Sequence, residues 1–148
     1  MSISVLLIDD NLPFLRSLTC FLEEQSGSPL HVVGAVVGGR DAVAQADALQ
    51  PAVVLVDLQM PDVPGLDLLP QLRARRPEAI LIALSLMDAA GVRPAVLASG
   101  ADAFVSKASL ETDLVPTIRQ LVGGRQVTRP RIRCSAQPGG CPDPAPQE

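Results

Sequence analysis

From residue 3 to residue 122, short β-branched or aliphatic runs alternate with longer segments of helical period, and this alternation leaves few folds open. Repeated strand and helix units of this kind build a parallel sheet wrapped by helices. Strands are predicted over residues 4–8, 31–37, 52–56, 79–84 and 103–105, and their near-continuous apolar character suits strands covered on both faces. The expected class is therefore α/β, a doubly wound five-stranded parallel sheet. The first helix is the clearest, because Phe14, Leu15, Leu18, Phe21 and Leu22 form one stripe and Pro13 suits a first helical position. Stripes over 40–49 and 110–122 predict two more helices, with Ser109 capping the latter and Gly123-Gly124 ending it. Pro70, Pro94 and Pro116 predict kinked or shortened helices, since an interior proline removes a hydrogen bond and costs about 3 kcal/mol.

Composition bounds the rest. With 148 residues, 47% of them hydrophobic, the chain can build one core without disulfides or metals. No apolar run approaches the roughly 20 residues of a bilayer span, and the run from Ile3 has no basic residues before it and ends in two aspartates, unlike a signal peptide. A cytoplasmic protein is expected. Past residue 124 periodicity disappears, and five prolines with little apolar content predict a disordered Pro/Arg-rich tail over 124–148, leaving 1–123 as the folded domain. The tail holds four arginines against Asp143 and Glu148, so the net charge of -4 becomes -6 over residues 1–123, which argues against nucleic-acid binding by that domain. Cys20, Cys134 and Cys141 define no disulfide framework or zinc site; three free thiols are expected, with a pairing of Cys134 and Cys141 as the alternative.

In an open parallel sheet, chemistry collects at the carboxyl ends of the strands, and those ends are chemically marked here. The first runs out into Asp9-Asp10, the third into Asp57, the fourth into Ser85 and the fifth into Lys107. Magnesium takes oxygen ligands and is commonly held by one or two carboxylates together with phosphate oxygens. Asp9 or Asp10 with Asp57 offers such a set, for Mg2+ or Mn2+. A carboxylate is also a competent nucleophile toward phosphorus once a cation neutralises the approaching oxygens. Lys107 would meet those oxygens as a mobile point charge and Ser85 as a hydroxyl donor. Taken singly, each residue has a plainer reading: the aspartates as turn or cap residues, Ser85 as a strand-end hydroxyl, Lys107 as a solvated charge. Gly38-Gly39 matches neither phosphate-loop spacing and reads as a turn, while His31 reads as structural.

The ordered set Asp9-Asp10, Asp57, Ser85 and Lys107 resembles that of the receiver domain of two-component response regulators. The most specific stretch runs from Val53 through Asp57 and Met60-Pro61 to Gly65; the segment from Gly100 through Phe104 and Lys107 to Ser109 resembles the family's fifth strand and following loop. The sequence around Ser85 and the ending from Ile118 to Gly124 resemble the subgroup that usually carries a LuxR-type output domain. The resemblance implies a flavodoxin-like strand order 2-1-3-4-5, phosphorylation of Asp57 by a histidine kinase or phosphotransfer protein, metal binding by Asp9, Asp10 and Asp57, and a switch at Ser85 and Phe104. Phe104 reads equally as core filling. Gln59 and Met87 occupy positions that in receivers influence dephosphorylation. Ala108 replaces the proline that many receivers have after the lysine, and Gly91 with Pro94 weakens the fourth helix.

Three functions compete. The leading expectation is a phosphoacceptor, not an enzyme, that signals by phosphorylation-dependent binding to a downstream protein; it is compatible with a homodimer and involves neither DNA nor membrane. The second is the receiver part of a DNA-binding regulator lacking its helix-turn-helix, two amphipathic helices that the sequence after residue 124 does not encode. The third is an aspartate-nucleophile phosphatase or phosphotransferase. Against it, Asp9 and Asp10 are adjacent rather than spaced as Asp-x-Asp, and the nucleophile would lie on the third strand.

Overall fold

The strands β3 (Val53–Asp57) and β4 (Ile80–Ser85) are buried at every position, which is why their sequences are continuous apolar runs rather than alternating ones. A computed structural model describes residues 3–24, 30–86 and 89–132, with the backbone alone at 89–90 and 124–132. Around those two strands it places β1 (Ile3–Asp9), α1 (Leu12–Glu23), β2 (Leu30–Val37), α2 (Ala42–Leu49), α3 (Gly65–Arg75), α4 (Ala89–Ala98), β5 (Ala103–Ser106) and α5 (Leu110–Ile132). The sheet has the order β2-β1-β3-β4-β5 with every pairing parallel. Edge strand β2 is mostly half-exposed, as a strand with one neighbour should be. The sheet and α1–α4 lie in one compact unit ending at Val115, and a second unit begins at Pro116, inside α5.

The first helix forms as its stripe requires, with Leu15, Leu18 and Leu22 buried. Its start is fixed by Asn11, whose side chain accepts a hydrogen bond from the Phe14 amide at 3.0 Å, and Pro13 sits in the first turn, where no intrahelical donor is needed. Helices α3 and α4 run through Pro70 and Pro94 instead of stopping at them. Both prolines are exposed, so the missing hydrogen bond falls on the side where water replaces it. Two boundary expectations fail at α5. Ser109 belongs to a short 3-10 turn, Lys107–Ser109, and its hydroxyl donates to Asp113 at 2.8 Å instead of capping the helix. The backbone of α5 continues through Gly123-Gly124 to Ile132; glycine in a helix interior costs only about 1 kcal/mol relative to alanine and does not forbid continuation. The remainder of the expected tail, with Cys134 and Cys141, lies outside the described residues, as do Met87 and Asp88. Cys20 is a free, exposed thiol.

Gly65 opens α3 where the chain returns against the end of β3. A Cβ there would lie 2.5 Å from the Asp57 carbonyl oxygen and 2.6 Å from the Leu58 Cα, both backbone atoms. Only glycine allows this approach, which also permits the Gly65 amide to donate to the Leu58 carbonyl at 3.2 Å. Gly65→Ala is expected to lower stability by about 2 kcal/mol through overpacking, read as a reduced urea midpoint by circular dichroism.

Candidate functional site

Chain order reverses between β1 and β3, since β2 lies on one side of β1 while β3, β4 and β5 follow on the other. A crevice forms outside the carboxyl ends of the strands at such a reversal. Asp9 is the last residue of β1, Asp57 of β3 and Ser85 of β4, each one residue further into the strand than the sequence boundaries placed it. Lys107 follows the last residue of β5, Ser106, whose hydroxyl accepts from the Ala108 amide at 3.1 Å and fixes the turn that carries the lysine.

The lysine ammonium joins the two buried carboxylates. Its Nζ lies 2.8 Å from Asp9 Oδ2 and 3.3 Å from Asp57 Oδ1. The other Asp9 oxygen accepts from the Asn11 amide at 2.9 Å, and Asp57 Oδ1 also accepts from the Gln59 amide at 3.2 Å. Ser85 Oγ donates to Gln59 Oε1 at 3.4 Å, so the Gln59 residue links the serine to the Asp57 end of β3. Asp10 is exposed, and Asp9, Asp10 and Asp57 each offer an oxygen within 4.8 Å of the others. One ammonium against three carboxylates leaves two negative charges uncompensated. A hard divalent cation with oxygen ligands suits this donor set. All five residues named for the chemistry are thus brought to one place. Phe104 is buried in the hydrophobic core cluster and pairs with Ala83 across the β4–β5 ladder.

Burial raises the Asp57 carboxyl above its ordinary value of 3.8, and the neighbouring charge of Asp9 adds to this, while the Gln59 amide and Lys107 oppose it. An acid whose folded pKa is raised binds a proton more readily folded than unfolded, so its charged form costs stability at neutral pH. Without divalent cation, Asp57→Asn is therefore expected to be more stable than the parent at pH 7. The gap should shrink as pH falls through the raised folded pKa toward 3.8, and thermal unfolding across that range checks it.

Two polar arrangements were not visible as sites in the sequence. Asp62 Oδ1 accepts from Gly39 at 3.1 Å and from Val63 at 2.8 Å, and its Oδ2 accepts from Gly39 at 3.0 Å and Arg40 at 3.1 Å. These amides, that of Gly39 foremost, hold its carboxyl below the usual range. Gly38 adopts φ +89°, and a Cβ there would stand 2.8 Å from Asp62 Oδ2. The glycine pair thus makes an anion-receiving loop, but the anion is the chain's own. Arg73 donates to the carbonyls of Gly100, Pro77 and Ala79 and to Asp102 Oδ2, tying α3 to the amino ends of β4 and β5, away from the carboxyl-end crevice. His31, the second residue of β2, lies 3.5 Å from Glu23, with both side chains exposed. Among the described residues, no helix is long and apolar enough to cross a membrane.

Residues 5–119 match the family described as the response regulator receiver domain. The chain is 29% identical over 132 residues to the response regulator protein VraR of Staphylococcus epidermidis, covering 89% of this chain and 62% of that one. It is 39% identical over 66 residues to a protein-glutamate methylesterase/protein-glutamine glutaminase of Alkalilimnicola ehrlichii, covering 45% of this chain and 16% of that one. The chain therefore spans less than two thirds of either relative. Among solved structures, it resembles the response regulator domain of Thermotoga maritima CheB, with a TM-score of 0.73 and 26% identity over 81% of this chain and 96% of that one. The isolated REC domain of RcsB from Salmonella enterica serovar Typhimurium, solved with phosphomimetic BeF3-, has the same fold, with a TM-score of 0.75 and 24% identity over 84% of this chain and 91% of that one.

Proposed function

Since the chain belongs to the response regulator receiver domain family, we propose that it is the phosphoacceptor of a two-component phosphorelay, with residues 1–123 as the receiver and Asp57 as the acceptor. The carrying observation is the meeting of Lys107 Nζ with Asp9 and Asp57 at the crevice between β1 and β3. A free Asp57 oxygen attacks phosphorus, the P–N bond of a phosphohistidine breaks, and its electron pair returns to the imidazole of a histidine kinase or phosphotransfer protein. Mg2+ or Mn2+ held by Asp9, Asp10 and Asp57 supplies charge neutralisation for the phosphoryl oxygens when bound. Lys107 and Ser85 donate to those oxygens. Drawing Ser85 toward them takes its hydroxyl from Gln59 and biases the packing around β4, β5 and Phe104, a population shift driven by new charge-assisted bonds.

The output in this reading is phosphorylation-dependent binding to another protein, in the cytoplasm and with homodimerisation as one form. The sequence around Ser85 and the ending from Ile118 to Gly124, which resemble the subgroup with LuxR-type output domains, support a second reading, the receiver part of a DNA-binding regulator. Salt-dependent, sequence-specific gel shifts would select that second reading.

Phosphorus-31 NMR with phosphoramidate and Mg2+ tests the chemistry. A protein-bound acyl phosphate resonance that hydroxylamine removes is the expected result. Repeated release of inorganic phosphate without such a resonance would point instead to a phosphatase.

A further inference from the structure

The ammonium of Lys107 has a third neighbour. It stands 4.4 Å from the centroid of the Phe14 ring, within range of a cation–π attraction. Phe14 occupies α1 next to Leu15 and one turn before Leu18, but it is only half-buried, whereas those two leucines are buried. Its ring is thus at the edge of the stripe, facing the pocket's lysine rather than closed inside the core. The Lys107 side chain is 15% exposed, so its ammonium is partly shielded from water.

Resting on the phosphoacceptor reading above, we propose that Phe14 is a positioning residue for Lys107, holding the ammonium at the pocket while the carboxylates exchange partners. A divalent cation entering among Asp9, Asp10 and Asp57 competes for the same oxygens that Lys107 now holds, and it repels the ammonium. A lysine on a flexible four-carbon stem would then move to bulk water. The ring face attracts the ammonium but offers nothing to a hard cation that seeks oxygen ligands. It keeps Lys107 close enough to meet a phosphoryl oxygen when one arrives. An aliphatic side chain of similar size would fill the same space without that attraction.

The test compares Phe14→Leu, Phe14→Tyr, Lys107→Met and the double variant Phe14→Leu/Lys107→Met, each checked for folding by circular dichroism. With saturating Mg2+, Phe14→Leu is expected to lower the rate of phosphorylation by acetyl phosphate and the affinity for BeF3- by about three- to thirty-fold. Affinity for Mg2+ alone should not fall, and Phe14→Tyr should keep parental values. In the Lys107→Met background, Phe14→Leu should cause no further loss. Phosphorylation of Phe14→Leu at the parental rate, or an equal loss with and without Lys107, overturns the proposal while leaving the acceptor role of Asp57 intact. A folded parent that takes up neither phosphoryl group nor BeF3- overturns both.

Discussion

Lys107→Met is expected to slow phosphoryl uptake by about 10²- to 10³-fold, the usual cost of removing one preorganised electrostatic donor to a developing charge. The ammonium lies at 2.8 Å from Asp9 and 3.3 Å from Asp57 in a position fixed by the turn after β5. Methionine retains most of the stem and its packing but leaves the phosphoryl oxygens without their cationic partner. It also leaves two buried carboxylates facing each other. In the absence of divalent cation, stability should therefore fall by about 3 kcal/mol, as when one partner of a buried pair is removed. Mg2+ should recover part of that loss, because it cancels the same repulsion. Urea titrations with and without Mg2+, alongside uptake rates from acetyl phosphate, separate the two effects.

Asp57→Asn should abolish uptake. Asparagine preserves size and can still accept from the Gln59 amide, the contact now made at 3.2 Å, yet its amide is not a nucleophile toward phosphorus. Because the carboxyl at this position is raised by burial, the neutral replacement should not unfold the domain. Loss of uptake in a folded, equally or more stable variant would locate the chemistry at this side chain. Residual phosphorylation at Asp9 or Asp10 at the parental rate would refute that assignment.

The sheet was legible because its central strands are buried on both faces, so burial itself writes a continuous apolar run; Val53–Asp57 and Ile80–Ser85 are the clearest cases. Strand ends came out one residue short, since Asp9, Asp57 and Ser85 are polar residues that still pair within the ladder. The chemistry-bearing residues were legible for the same reason: polar side chains at the ends of apolar runs have little to do with packing. The helix boundary at Gly123-Gly124 was not, because glycine preference at a helix end is a tendency worth about 1 kcal/mol. Contacts between distant segments were also hidden. Asp62 is 23 residues from Gly39, and Arg73 is 27 from Gly100; no local pattern announces either. Phe14 was read as a member of the α1 stripe, and only the fold brings Lys107 over its ring.

Intact-mass spectrometry of the unmodified chain with acetyl phosphate and Mg2+, followed by mapping of the adduct, tests the central claim most directly. One labile phosphoryl group per chain, dependent on Mg2+ and located at Asp57, is the expected result. A folded chain that gains no phosphoryl group, or gains one at another residue, would contradict it.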